Sequence, residues 1–161
     1  MTASMREEIQ VGPLAIRFLV DGQESSGSVA VLEFDVPAGS RLPAAHSHDG
    51  YEETIYGVAG VLTWTVEGVE TDVGPGDALL IPRGAVHRFD NTRTVDATAL
   101  AIITPGLLGP DYFREIARAV ASTARVLSKR WTAPRGMSRA SPGPTSVSTP
   151  STVQVSTPST P

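Results

Sequence analysis

The sequence contains no cysteine, which excludes thiolate metal ligands, catalytic thiols and disulfides together and leaves the redox compartment open. It also lacks a basic stripe, since 13 lysines and arginines stand against 17 acidic residues. This charge balance does not favour binding to nucleic acid or to an anionic membrane. No apolar run approaches the roughly 20 residues that span a bilayer, and the first ten residues lack the apolar core of a secretory signal. We therefore expect a cytoplasmic protein with no nucleic-acid and no membrane partner.

Short stretches rich in Val, Ile, Leu and Phe alternate with glycine, proline and asparagine from about residue 9 to about residue 105. This spacing predicts β-strands over 14–20, 28–36 and 97–104, with further short strands between Glu53 and Asn91. Many short strands joined by tight turns are typical of an antiparallel sandwich or barrel. The sequence therefore predicts an all-β fold.

The pattern changes after residue 110, where apolar side chains recur at helical spacing. We predict one amphipathic helix over 111–131, with Asp111 as its N-cap and Lys129 and Arg130 at the end that favours cations. Its apolar stripe is expected to pack on the outside of the β-domain or on a partner subunit. The stripe comprises Phe113, Ile116, Ala117, Val120, Ala124, Leu127 and Trp131.

The last segment, 132–161, consists mainly of Ser, Thr and Pro and contains VSTPST twice. Such a composition cannot bury enough apolar surface to offset the entropy of ordering, so we predict disorder. A linker, a substrate for phosphorylation or O-glycosylation, and an extension without function all fit it. The predicted organisation is a flexible N-terminus over 1–8, one domain over 9–131 that includes the helix, and this tail.

All three histidines of the chain fall in two glycine-framed segments. His46 and His48 are two residues apart, so both imidazoles project from one face of an extended strand. Glu53 follows across a turn, and His87 comes from a third segment. Three neutral nitrogens and one carboxylate suit Fe, Mn, Ni, Co, Cu or Zn and are wrong for Ca or Mg. These residues are candidate ligands for one divalent transition metal.

The two segments resemble the two motifs of the cupin superfamily. The first motif is matched by Gly39, His46, His48, Glu53 and Gly60, and the second by Gly76, Pro82, Gly84, His87 and Asn91. The resemblance implies a cupin-type antiparallel β-barrel or jelly roll, expected as a homodimer, with a metal held inside by the three histidines and Glu53. It also implies that Asn91 and the glycines are structural. Glu52 is an alternative to Glu53 as the fourth ligand, because the family tolerates both spacings.

The resemblance further implies a metal-dependent dioxygenase that acts on a small metal-chelating substrate, such as a flavonol-like compound or another enol or diketone. Glu53, which can release the metal and accept a proton, is the candidate catalytic residue. Two alternatives stay open: a non-enzymatic cupin that binds or senses a sugar or another small molecule, and a metal-dependent isomerase or lyase. The last would need a base beside the metal, which the sequence does not identify. A DNA-binding regulator is disfavoured because no helix-turn-helix accompanies the barrel.

Strand alternation also suggests which residues line the substrate pocket. Ile55 shares a strand face with Glu53, and Phe89 shares one with His87, so both are expected to face the cavity. Further candidates are aromatic residues near the ligands and one cation, although in a β-barrel such aromatics are often core or interface residues. They are Tyr51, Tyr56, Trp64 and Arg41.

Overall fold

The structure is a computed structural model that describes residues 6–41 and 45–130, with only the backbone described from residue 124. It contains nine β-strands followed by one α-helix. In chain order they are β1 Glu8–Val11, β2 Leu14–Val20, β3 Ala30–Val36, β4 Glu52–Ala59, β5 Leu62–Val66, β6 Val69–Val73, β7 Ala78–Ile81, β8 His87–Asp90, β9 Ala97–Thr104 and α1 Pro110–Arg130. The predicted strands over 14–20 and 97–104 have these bounds, whereas the strand predicted over 28–36 begins at Ala30.

The strands form two antiparallel sheets. One has six strands in the order β1-β2-β3-β9-β4-β7, and the other has three in the order β6-β5-β8. The described strands thus form a jelly roll of two sheets and not one closed ring of hydrogen-bonded strands, which refines the prediction of a barrel or jelly roll. Because β4 belongs to the larger sheet and β8 to the smaller one, side chains from the two sheets can meet between them.

Strict alternation along the strands builds the core. In β3, Ala30, Leu32, Phe34 and Val36 are buried while the residues between them are half-buried, as the sequence pattern predicts. The buried residues of β9 follow the same rule, and β3 and β9 pair in register from Ala30↔Ile103 to Val36↔Ala97. The larger sheet therefore presents one continuous apolar face to the smaller one.

Tight turns close the hairpins where the sequence supplies glycine. Glu67 and Gly68, with φ of 48° and 80°, form the two-residue connection between β5 and β6, as is typical of a tight β-hairpin. Gly60 has a φ of 65°, and a Cβ there would collide with backbone and side-chain atoms of Asp96 and Ala97. Only glycine fits at this position without moving the start of β9.

Asn91 is fully buried at 0% exposure and ties three segments together. Its Nδ2 donates to the carbonyls of Val36 and Val95, both at 2.9 Å, and its Oδ1 accepts from the backbone N–H of Arg93 at 3.0 Å. These bonds fix the loop that follows β8 against the end of β3. The structure thus gives Asn91 the structural contacts that the resemblance implied.

Replacing Asn91 with alanine should destabilise the fold by about 2–4 kcal/mol, because two buried carbonyls and one N–H lose their partner. Chemical denaturation of the metal-free protein measures this effect. The control is Thr92→Ala at the neighbouring exposed position, which should stay within about 0.5 kcal/mol of the wild type. Equal stability of the two variants would contradict a structural role for Asn91.

Helix α1 packs against the β1–β2 hairpin. The Phe113 ring lies 5.9 Å from that of Phe18, centroid to centroid, and Arg114 forms ion pairs with Glu7 and Asp111. Phe113 of the predicted apolar stripe therefore packs on the β-domain of its own chain, which is one of the two positions predicted for the stripe. The prediction of Asp111 as N-cap is wrong: the helix begins at Pro110, whose missing N–H suits the first helical position, and Asp111 lies inside the first turn.

Some predictions lie outside the described residues, among them the disordered tail over 132–161, the first five residues and the side chains of Ala124, Leu127 and Trp131. In the described part of the chain, no helix is both long and apolar enough to cross a membrane. The cytoplasmic location and the homodimeric state stay predictions.

Candidate metal centre

A short backbone bridge holds His46 beside His87. The N–H of His46 donates to the His87 carbonyl at 3.0 Å, and the N–H of His87 donates to the His46 carbonyl at 2.8 Å. The two imidazole centroids lie 4.4 Å apart. A bridge between residues directly opposite each other puts both side chains on one side of the backbone, so the pairing aims both rings at one place.

His48 is placed by a separate contact. Its carbonyl accepts the backbone N–H of Gly84 at 2.8 Å, and Gly84 adopts a φ of 77°, a conformation that favours glycine. The His48 ring stacks on Tyr51 with centroids 4.5 Å apart and lies 4.9 Å from the His46 ring. A glycine of the second motif thus positions a histidine of the first.

Glu53 reaches the same point from the opposite sheet. It lies on β4, paired with Ile81 of β7 and Ile103 of β9, and its Oε2 lies 3.4 Å from Nε2 of His87. Its side chain is only 14% exposed. Glu52 lies next to it on the same strand, so alternation directs its side chain to the other face of the sheet.

The three histidines together form a group that could hold a metal ion. Each offers one ring nitrogen, and these nitrogens all lie within 4.8 Å of one another. Ligand nitrogens sit about 2.1 Å from a transition metal, so a small side-chain adjustment would bring all three into range. The structure therefore brings together the three histidines that the sequence singled out, with Glu53 beside them.

The hydrogen bonding of His87 fits a ligand. Its Nδ1 lies 2.9 Å from the Ala85 carbonyl oxygen, which can only accept, so Nδ1 carries the proton. In the neutral ring the lone pair is then on Nε2. That atom is buried and has no hydrogen-bond partner within the described residues, because the 3.4 Å contact with Glu53 is an ion-pair distance without hydrogen-bond geometry. A buried lone pair beside two further imidazoles fits a bound transition metal.

Metal affinity should fall as the pH decreases, and the decline should begin above the ordinary histidine pKa. Burial alone lowers the pKa of His87, but contacts with the Glu53 carboxylate and the Ala85 carbonyl outweigh it, so the pKa is raised from 6.5. Only the neutral ring binds metal, so His87 takes up a competing proton as the pH falls through this raised pKa. Burial lowers the pKa of His48, which therefore stays neutral to lower pH, although Glu53 opposes the shift.

Zn²⁺ titrations against a competing chelator from about pH 5.5 to 8.5 measure this dependence. Below the raised pKa of His87 the logarithm of the affinity should change by about one unit per pH unit, as expected for one displaced proton. The slope should steepen at lower pH. An affinity that stays constant between about pH 8 and 6 would contradict the assignment of His87 as a ligand.

A cavity of about 350 Å³ adjoins the centre, and His46 and Glu53 are among the residues that line it. The remaining lining is largely apolar and comes from the β1–β2 hairpin, β3, β8 and α1. A site with a few convergent polar groups at one end of an apolar cavity is typical of small-molecule binding sites.

The predicted pocket residues divide between this cavity and the core. Phe89 lines the cavity and packs on Trp64, with ring centroids 4.5 Å apart. Trp64 and Ile55 are buried in the core cluster, and Tyr51 packs against that cluster beside His48. Of the residues described, Tyr51, Ile55 and Trp64 are not among those that line the cavity.

The two remaining candidates are also not among the described residues that line the cavity. Tyr56 is on the outer face of β4 and is exposed, and Arg41 forms an isolated bridge with Asp90. Sequence reasoning missed the contributions of β1, β2 and α1 to the cavity. Leu14 and Ile16 alternate with less buried residues, a pattern that indicates inward-facing side chains. No local pattern in the sequence predicts that a helix lies against them.

The fold is thus a small antiparallel jelly roll in which three histidines that could hold a metal ion, together with a glutamate, lie between the two sheets. Residues 32–103 match the family model of the cupin domain. The fold and this match identify residues 32–103 as a cupin domain.

Comparison with known proteins agrees with this assignment. The chain is 29% identical over 112 residues to quercetin 2,3-dioxygenase of Bacillus subtilis (strain 168), an alignment that covers 68% of this chain and 32% of that protein. The chain thus spans about a third of the length of this relative. A match to a third of the relative does not show that this chain has the activity of the whole relative.

Among solved structures, a cupin of Shewanella frigidimarina described as RmlC-like superposes with a TM-score of 0.56 at 17% identity, over 70% of this chain and 93% of that one. A predicted oxalate decarboxylase of Thermotoga maritima gives a TM-score of 0.56 at 23% identity, over 62% and 91%. At these identities the likeness concerns the fold alone.

Proposed function

We propose that the protein is a metal-dependent dioxygenase that acts on a small organic substrate able to chelate the metal. One observation carries the proposal: Glu53 and His46, which belongs to the cluster of three histidines, both line an apolar cavity of about 350 Å³. The three histidines and Glu53 would hold the metal, and if it were five- or six-coordinate they would leave it able to take a substrate as a further ligand.

The histidines and Glu53 have separate roles in this proposal. The three imidazoles bind the metal in their neutral form, with the ring of His87 oriented by its Nδ1–H bond to the Ala85 carbonyl. A bound redox-active metal supplies Lewis acidity toward the substrate oxygens and electron transfer to dioxygen. Glu53 completes the ligand set and accepts the proton of the substrate hydroxyl on a carboxylate oxygen.

The burial of Glu53 supports its role as a base. With 14% of its side chain exposed, water competes little for its oxygens, and its Oε2 already faces a histidine nitrogen. General-base catalysis of this kind contributes about 10²- to 10⁴-fold to a rate. Glu53 combines low exposure, a carboxylate and a contact with His87 of the triad.

The lining of the cavity bears on the alternatives. A sugar-binding cupin would need hydroxyl-matching polar groups, whereas the cavity walls away from His46 and Glu53 are mostly apolar. The partial match to quercetin 2,3-dioxygenase is consistent with an aromatic chelating substrate. Both observations favour the oxygenase over the sugar-binding alternative.

Oxygen consumption tests the proposal. Metal-free protein is reloaded separately with Fe²⁺, Mn²⁺, Co²⁺, Ni²⁺, Cu²⁺ and Zn²⁺ and mixed with a panel of flavonols, enols and 1,3-diketones in an oxygen electrode. We expect uptake with at least one redox-active metal and one chelating compound, and none with redox-inert Zn²⁺. Binding of the same compounds without oxygen uptake for any metal would contradict the oxygenase and support a binding protein.

A further inference from the structure

Helix α1 forms one wall of the cavity beside the metal centre. Tyr112, Phe113, Ile116 and Val120 line it, and all four lie on one face of the helix. This wall lies beyond the matched cupin domain, which ends at residue 103. The centre and the wall that faces it therefore come from different parts of the chain.

The wall opposite α1 comes from the jelly roll. The β1–β2 hairpin contributes Leu14 and Ile16, and β3 and β8 contribute Phe34 and Phe89, whose ring centroids lie 5.2 Å apart. A Cβ added at Gly12 would lie 4.0 Å from Cγ1 of Val120, so the hairpin and the helix are in close contact at this edge. Aromatic and aliphatic side chains on both sides favour an apolar ligand that carries rings.

The cavity opens to solvent beside the helix. Tyr112 and Val120 are 45% and 39% exposed although they line it, whereas Ile116 between them is only partly exposed. Ile116 thus lines the same cavity as His46 and Glu53 and is less exposed than its two helix neighbours. A ligand that binds the metal and fills the cavity therefore contacts this side chain.

We propose that α1 is the specificity-determining wall of the cavity and that Ile116 sets the size of the ring-bearing ligand it admits. The inference rests on the proposed function in taking the cavity as the place where the chelating ligand binds. It goes beyond that function by assigning ligand selection to a helix outside the matched domain.

The test compares two ligands of different size on variants of two helix positions. 3-Hydroxyflavone is an apolar, ring-bearing chelator, and acetylacetone is a small chelator without rings. Ile116→Trp fills the cavity and Ile116→Ala enlarges it. The control is Arg118→Trp, because Arg118 is exposed and lies about 200° around the helix from Ile116. Binding is measured by fluorescence or absorbance on Zn²⁺-loaded protein, which is redox-inert, with metal content and circular dichroism recorded for each variant.

We expect Ile116→Trp to weaken 3-hydroxyflavone binding at least tenfold while acetylacetone binding changes less than twofold. Ile116→Ala should weaken 3-hydroxyflavone binding about fivefold through lost apolar contacts. Arg118→Trp should leave both affinities unchanged. Equal 3-hydroxyflavone affinity in the Ile116 and Arg118 variants would overturn the inference, and Ile116→Ala alone decides it if Ile116→Trp fails to fold.

Failure of this inference is distinguishable from failure of the oxygenase. The affinities for 3-hydroxyflavone and acetylacetone are measured without dioxygen chemistry. A protein that consumes no oxygen can therefore still show ligand selection by Ile116. Conversely, oxygen uptake that is unaffected by substitutions at Ile116 would leave the oxygenase standing and remove the role of α1.

Discussion

Replacing His46 with alanine should reduce the metal content of the purified protein from one equivalent per chain to nearly none. Loss of one imidazole should weaken metal binding by more than 100-fold, since even the partners that orient a ligand are worth about 10- to 100-fold. His46 is exposed, and its bridge to His87 uses backbone atoms only, so the fold should survive the substitution. The measurement is elemental analysis of purified variant and wild type.

His87→Ala provides the informative comparison. It should lose the metal equally, but it should also destabilise the metal-free protein by about 2–3 kcal/mol, because His87 is 2% exposed and leaves a void and an unpaired Ala85 carbonyl. If both variants lose the metal equally but only His87→Ala is less stable, both histidines are metal ligands and His87 also contributes to packing. Stoichiometric metal in His46→Ala would contradict the ligand assignment.

Replacing Glu53 with glutamine should lower oxygen consumption by about 100-fold or more at saturating metal. The amide keeps the size of the side chain but removes the negative charge and the base that accepts the substrate proton. The three histidines still bind metal, so metal content should fall less than in His46→Ala. The pKa of His87 should also decrease, because burial already lowers it and the Glu53 carboxylate, with the Ala85 carbonyl, opposes that effect.

Glu52→Gln is the matched control for this variant. It removes the same charge one residue away, from a side chain that alternation directs to the other face of β4. Its activity and metal content should equal those of the wild type. The opposite result, with loss in Glu52→Gln and none in Glu53→Gln, would make Glu52 the fourth ligand, the alternative that the motif spacing leaves open.

The strands and the candidate ligands could be predicted because their signals are local. Period-two burial defines β3 and β9, and glycine or Glu67–Gly68 turns end the segments between them. The three histidines and Glu53 stand at fixed offsets from the glycines that place them. Gly84, for example, bonds directly to the carbonyl of His48. Because these offsets can be read from the sequence, the sequence alone could predict that these residues come together.

The cavity could not be predicted, because it depends on contacts between distant elements. The helical spacing of Phe113, Ile116 and Val120 shows that α1 has an apolar face but not what that face covers. Strand alternation correctly predicts that the side chain of Ile55 points inward. At that position, however, the side chain is buried in the core and does not line the cavity. The predicted cap at Asp111 was wrong because Pro110 can itself begin a helix, a choice that propensity leaves undecided.

The most direct test of the metal centre is anomalous X-ray diffraction from crystals of the protein as purified, combined with elemental analysis of the same batch. The account predicts one transition metal per chain, within about 2.3 Å of a ring nitrogen from each of His46, His48 and His87 and of a Glu53 oxygen. A metal bound elsewhere, or a metal at this place that one of the histidines does not contact, would contradict it.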